Sequence, residues 1–409
     1  MENENLIKIK EGLVEIYIYS TDKDSIPSKS MNVFYNKKME INRDITNLSV
    51  LAYNELINQD GLVIVDSMAA SGISSIRMLK ECKNIEKLCI NDINPIAIEL
   101  IRKNLILNNL NGDSFPIEIS KKDANYLFTK LAQLNYISSN SKQKRPNVIS
   151  IDPFGTPNIY LDSAFKSIQK ENGLMCITAT DTAVLFGVRP DACFRKYMSK
   201  SIHSYYSKEI GARILIYFIS RIANVNNLGI LPLLTFYTNH FIRVFCLTFK
   251  NKKRISESFK NYGYVIYCKK CDFRSSFKNE PIQLPKQCPI CRGIGKMDFT
   301  GPLWVDNLHD ENFVAKLSEL NEQFNYRNKK KIHKLLRLVK DEIDMPISYY
   351  NIHKLCQRLK LPYVPKIDEI LRVIKEKGYK VSRTHFDFLS VKTNMDIKSL
   401  ETCLLEIKN

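Results

Sequence analysis

Two groups of residues have types and spacing suited to chemistry. The first is Asp152-Pro153-Phe154-Gly155, which directly follows Asn147-Val148-Ile149-Ser150-Ile151. A short apolar run of this kind reads as a buried strand, and open α/β sheets bind ligands where their strands end. The tetrapeptide therefore offers a hydrogen-bond acceptor and a flat apolar ring at a ligand site. A planar substrate bearing an amine needs both, the carboxylate to hold an N–H and the ring to stack on the heterocycle. This points to chemistry on the exocyclic amine of a nucleobase. The plainer reading of Asp152 is a turn residue at a strand end. The second group is Cys268-Lys269-Lys270-Cys271 and Cys288-Pro289-Ile290-Cys291, with sixteen residues between the two pairs. That spacing brings four thiolates around one tetrahedral Zn²⁺. Four sulfur ligands leave no open position, so such a metal is structural; a redox dithiol pair is the alternative.

Further carboxylates fall at neighbouring strand ends. Asp66-Ser67-Met68-Ala69-Ala70-Ser71-Gly72 follows the apolar run Leu62–Val65 and opens a helix. Small residues there let a ligand approach the backbone, although they also permit tight strand–helix packing. The loop lacks the G-x-G-x-x-G of a dinucleotide site, so a cofactor without phosphates fits it better. Asp92 ends the next strand, 26 residues after Asp66, where an acidic side chain can take both ribose hydroxyls of an adenosine. Asp123, followed by Ala124, can accept from an adenine amine or serve as a plain N-cap. Carboxylates in this order at successive strand ends resemble class I S-adenosylmethionine-dependent methyltransferases.

The elements that must position these groups are visible as periodicity. Residues 6–20 alternate as two short strands around Gly12, a β extension ahead of the main domain. Residues 44–58 carry a helical pattern. Strands at 62–66, 88–90, 148–151 and 174–178 alternate with helices at 73–80 and 95–108, the pattern of a parallel sheet with crossover helices. Residues 231–249 add further strands. Ser138–Arg145 reads as a surface loop. Composition shifts at Lys250–Arg254, where we place a boundary between a domain of residues 1–250 and one of residues 251–409. In the second, helices at 331–343, 347–359 and 367–377 precede strand-like residues 381–388. That order suggests a winged helix over 328–409, with a generic helical cap as the alternative.

The net charge of +18, from 61 Lys and Arg against 43 Asp and Glu, favours a polyanionic partner. A lysine-rich coding bias is the competing explanation. The seven cysteines outside the two pairs sit in apolar or helical patterns and read as small buried hydrophobes. No apolar stretch reaches the roughly 20 residues of a membrane span, and Met1–Asn5 is polar and acidic rather than a secretory signal. A cytoplasmic monomer is expected.

In combination, several motifs resemble the tRNA (guanine-26-N2)-dimethyltransferases of the archaeal type. These are Phe34-Tyr35-Asn36 with Asn42-Arg43-Asp44, Asp66–Gly72 with Ile76-Arg77, Asn91-Asp92-Ile93, and Asp152-Pro153-Phe154-Gly155. Gly187-Val188-Arg189-Pro190, Arg195-Lys196-Tyr197, Ser382-Arg383-Thr384-His385-Phe386 and the four cysteines complete the set. The resemblance implies a Rossmann-like class I methyltransferase domain of α/β class with the N-terminal β extension. It also implies a C-terminal α+β, tRNA-binding domain with a zinc ribbon (268–291) and a winged-helix-like tail. It implies S-adenosyl-L-methionine as methyl donor, held by Arg43, Asp66, Arg77, Asp92, Asp123 and Ala124. Asp152, Pro153 and Phe154 then act at the guanine, and Cys268, Cys271, Cys288 and Cys291 hold zinc. The stretch Ile73-Ser74-Ser75 lacks an arginine that often follows the family's Ser-Gly. Two other readings of the same residues are an adenine-N6 methyltransferase on DNA or RNA, and an inactive methyltransferase fold that only binds nucleic acid.

Overall fold

A computed structural model of the chain describes residues 6–20, 31–58, 60–110, 116–137, 144–278 and 283–407. The expected loop at 138–145 lies mostly outside these residues, as does Met1–Asn5.

The chain opens with an antiparallel hairpin, β1 (Leu6–Glu11) and β2 (Val14–Tyr19). Its turn at Gly12 has φ +57°. α1 (Glu40–Ile57) starts four residues ahead of the expected helix, which places Arg43 in its first turn. Strands and helices then alternate: β3 (Leu62–Asp66), α2 (Ile73–Glu81), β4 (Ile85–Asn91), α3 (Pro95–Leu107), β5 (Ile117–Ser120), α4 (Ala124–Ile137), β6 (Val148–Ile151), α5 (Asn158–Ser167) and β7 (Leu174–Ala179). Two short helices, α6 (Thr182–Leu185) and α7 (Pro190–Tyr197), lead to the long α8 (Ser207–Val225). The hairpin β8 (Gly229–Thr238) and β9 (Phe241–Phe249) follows.

Seven strands form one sheet in the order β5-β4-β3-β6-β7-β9-β8. The strands from β5 to β7 are parallel, but β9 runs antiparallel to β7 and β8 antiparallel to β9. The sheet is therefore mixed rather than parallel throughout. The reason is local: Asn239 and His240 both have positive φ, which makes a tight hairpin turn instead of a crossover. Every residue of β3, β6 and β7 is buried, as helices on both faces require, which explains their unbroken apolar runs. After β3 the chain builds outward to β5, then returns to place β6 on the other side of β3. The crevice between the ends of β3 and β6 is the switch point where such sheets bind ligands.

Beyond α9 (Lys252–Ser258), β10 (Tyr262–Cys268), β11 (Arg274–Lys278) and β12 (Met297–Trp304) form a three-stranded antiparallel sheet, order β11-β10-β12. α10 (Glu311–Gln323) and α11 (Lys329–Glu342) come next. The tail comprises β13 (Tyr350–Asn351), α12 (Ile352–Arg358), α13 (Ile367–Glu376), β14 (Val381–Arg383), β15 (Ser390–Thr393) and α14 (Ile397–Glu406). The helix expected from 347 begins at Ile352, because Ser348 adopts φ +72° and Asn351 caps the Lys354 N–H. The hydrophobic core continues across residue 250: Phe313, Leu317 and Leu336 pack in one cluster with Leu48 and Ile64. The tail adds a small core of its own around Leu355, Ile370, Val391 and Leu400. Among the described residues, no helix is long and apolar enough to cross a membrane.

Candidate active site

The switch point opens into a cavity of about 1030 Å³ that brings together Arg43, Asp66, Asp92, Asp123, Ala124, Asp152, Pro153 and Phe154. The loop after β3 is folded for close approach: Ala70 has φ +48° and Gly72 φ +78°, and a Cβ at Gly72 would press on Ile101 at 3.0 Å. Asp92 secures this loop by accepting from the Ala70 N–H at 2.8 Å and the Asn94 N–H at 2.9 Å. Asp123 uses Oδ1 to cap α4, accepting from Asn125 and Tyr126. Its two readings, cap and ligand, are thus compatible. Asp66 lies deeper, and Ser75 Oγ donates to it at 2.6 Å. Burial, reinforced by the Asp152 charge, pushes its carboxyl up to about 6 against the pull of Ser75 and Arg243.

Asp152 contrasts with these. Among the described residues no group donates to its carboxylate or pairs with it, although it lines the cavity. Phe154 is 45% exposed beside it, and Phe34 meets the ring edge-on at 4.7 Å. The turn itself is fixed. Gly155, at φ +93°, accepts from Thr180 N–H at 2.9 Å, and its own N–H donates to Thr180 Oγ1 at 2.6 Å.

Arg77 is not brought to the cavity. Its side chain is fully buried under the hairpin, 2.9 Å from Glu11, 2.7 Å from Asp44 and 2.9 Å from Glu81. The Tyr326 ring lies against the guanidinium. Three carboxylates satisfy this fork, so its position is structural. Arg43 does line the cavity, with its guanidinium held bidentate by Glu11 at 2.6 and 2.7 Å. Arg243 is a cavity residue that sequence reading passed over. It is buried, donates to Thr178 Oγ1 at 2.6 Å and forms no ion pair among the described residues. The signal was a lone charge inside the apolar run Phe241-Ile242-Arg243-Val244-Phe245.

The four cysteines converge away from this cavity. Cys268 Sγ lies 3.7 Å from Cys291 Sγ, and Cys271 Sγ 3.6 Å from Cys288 Sγ. A disulfide needs about 2.05 Å, whereas a tetrahedron of bonds near 2.3 Å has edges of about 3.8 Å. The cluster has the dimensions of a four-thiolate metal site. Of the basic residues around it, Arg274 is no free surface cation: the rings of Tyr205, Tyr206 and Tyr350 enclose it and it donates to Tyr349 O. Buried His309, Glu342 and His385 also bring donor atoms within 4.8 Å of one another. There, however, Lys392 Nζ lies 3.6 Å from Glu342 and 2.8 Å from Glu209. An ammonium already supplies the cation, so this group is an ion network tying the tail to α8.

The family model described as TRM, the N2,N2-dimethylguanosine tRNA methyltransferases, matches residues 15–405. The chain belongs to this family. Similar members named tRNA (guanine(26)-N(2))-dimethyltransferase include one from Methanosphaera stadtmanae, 35% identical over 98% of this chain and 97% of its own. Another, from Pyrococcus abyssi, is 34% identical over 88% of this chain and 90% of its own. Among solved structures, Trm1 from Pyrococcus horikoshii in complex with S-adenosyl-L-methionine superposes with a TM-score of 0.81 at 30% identity. It covers 98% of this chain and 100% of its own.

Proposed function

We propose that the chain transfers methyl groups from S-adenosyl-L-methionine to the exocyclic N2 of guanine 26 in tRNA, giving the N2-methyl and then the N2,N2-dimethyl base. The observation that carries this reading is the Asp152 carboxylate. It has no protein donor among the described residues and stands beside an exposed aromatic ring in the cavity that also holds Asp92 and Asp123. A volume of about 1030 Å³ is at the upper end for one small ligand, as a pocket for both a cofactor and a base requires.

The donor, when bound, supplies an electrophilic methyl group on a sulfonium. Asp92 would hold the ribose hydroxyls, Asp123 and Ala124 the adenine, and Arg43 and Asp66 the methionine end. The target base must leave its stack to enter. Its N2 lone pair is delocalised into the ring. Asp152 accepts one N2–H and localises the lone pair as the N–C bond forms and the methyl–sulfur bond breaks, leaving a neutral thioether. The N2 proton passes to the Asp152 carboxylate. The Pro153 carbonyl accepts the second N–H before the first transfer, and Phe154 holds the ring plane. Positioning the amine in line supplies most of the rate. Nucleoside mass spectrometry of one tRNA transcript, with and without its target guanine, tests this. Methyl label retained after that guanine is replaced would refute it.

Asp92→Ala is expected to weaken donor binding about ten- to a hundredfold, the worth of one or two charge-assisted hydrogen bonds. Calorimetry with S-adenosyl-L-methionine measures it, and unchanged affinity would remove Asp92 from the cofactor site.

The sulfur spacing supports a structural zinc within a ribbon over 268–291. The order α11, α12, α13, β14, β15 supports a winged-helix-like reading of the tail. We assign both to tRNA binding in a domain beyond residue 250. One zinc per chain is expected by elemental analysis, falling to near zero in Cys271→Ser/Cys288→Ser. That variant should lose tRNA affinity while retaining donor binding; a wild-type chain free of zinc would overturn the assignment.

A further inference from the structure

The motifs Gly187-Val188-Arg189-Pro190 and Arg195-Lys196-Tyr197 have no role in the cavity, yet α7 is anchored to the loop that carries Asp152. Tyr197 Oη lies 3.2 Å from Thr156 Oγ1 and donates to Asp181 at 2.7 Å. Asn158 donates to the Lys196 carbonyl at 2.8 Å. Cys193 and Tyr197 bury the inner face of α7. The segment entering α7 is held just as firmly. Gly187, at φ +78°, lies so near the backbone of Ile202 and His203 that an added Cβ would come within 2.3 Å of it. A rigid mount on the substrate loop therefore carries an outer face that nothing among the described residues covers. Val188 is 58% exposed, Phe194 58% and Met198 59%. Arg189 and Arg195 stand exposed among them, and neither side chain has an ion pair or hydrogen bond among the described residues.

We propose that this face of α7 docks the RNA strand next to the extruded guanine. Arg189 and Arg195 pair with backbone phosphates, and Phe194 stacks on a base neighbouring the vacated position. The inference rests on the RNA-modifying function proposed above. Two features of this face favour RNA as the occupant. Unpaired arginines beside an exposed aromatic ring are the groups with which proteins hold single-stranded or unstacked nucleotides. The face is also continuous with the base-binding loop through Thr156 and Asn158. A single carboxylate, Asp191, lies in the first turn of α7, leaving the face net cationic.

The test uses the full chain and an unmodified tRNA transcript. Arg189→Ala/Arg195→Ala should weaken binding about tenfold in fluorescence anisotropy and reduce the slope of log affinity against log salt by about 2, one unit per phosphate contact. Arg189→Lys/Arg195→Lys should restore most of the affinity. Phe194→Ala should lower kcat/KM for tRNA about tenfold or more, as loss of one stacked base does. Donor affinity and melting temperature should hold in all three variants, since these side chains are exposed. Variants that bind and methylate tRNA as the wild type does would overturn the proposal. Variants that lose tRNA affinity, beside a wild-type chain that methylates no guanine, would support the surface and overturn the reaction instead.

Discussion

Asp152→Ala is expected to lower the rate constant for methyl transfer about 10³-fold while donor binding stays within about twofold. Loss of one preorganised polar partner at a reacting centre typically has an effect of this order. Asp152 is well suited to such a loss because its carboxylate has no structural duty among the described residues. Asp92 and Asp123 by contrast also hold backbone N–H groups. The mounting of Asp152 depends instead on Gly155 and Thr180, which the substitution leaves in place. Asp152→Asn separates charge from shape, since the amide keeps an acceptor oxygen but stabilises positive charge on the amine less. Single-turnover transfer of labelled methyl to tRNA measures the step, and calorimetry the donor affinity. An Ala variant that turns over at the wild-type rate would reduce Asp152 to a turn residue.

The second large effect is on stability. Arg77→Met should destabilise the fold by about 3–5 kcal/mol, the usual result of removing one partner from a buried charged group. Glu11, Asp44 and Glu81 would then share a buried site without their common cation. The damage would spread because the site joins four segments. Glu81 also accepts from the Leu13 N–H of the hairpin turn, from Asn47 of α1 and from Tyr326 between α10 and α11. Gly12 belongs to the same arrangement: a Cβ there would lie 2.2 Å from Glu81 Oε1, at a φ of +57°. Within the network, Glu11 contributes an acid dependence. Burial pushes Glu11 up, but Arg43 and Arg77 outweigh it and hold its carboxyl below its ordinary 4.5. Its contribution is therefore complete above about pH 4.5 and is lost as pH falls through the depressed value. Urea midpoints of wild type and Arg77→Met measure the loss. A midpoint that does not move, combined with weakened donor binding, would return Arg77 to the cofactor site.

Much of this site was legible in the sequence. Asp66, Asp92, Asp123 and Asp152 each follow an apolar run or precede a helical pattern, and strand ends of a doubly wound sheet meet on one edge. The cysteine spacing was legible for a similar reason, because a metal knuckle is built from residues close in the chain. The helix 207–225 and the antiparallel turn at Asn239-His240 were missed. In a helix buried on most sides the apolar stripe dissolves into a continuous run, and a turn at positive φ without glycine gives a weak signal.

The sequence alone determined the alternation of strand and helix that begins at β3 and the carboxylates that follow its apolar runs, since period and spacing are local properties. Tertiary structure alone decided between the two arginines. Arg43 and Arg77 are alike as residue types, each a cation in a helix near the site. One faces the cavity and the other is closed in beneath the hairpin, because Glu11, Asp44 and Tyr326 converge from distant parts of the chain on Arg77 and its helix neighbour Glu81. Such convergence depends on packing between segments, which no pattern within any one of them records.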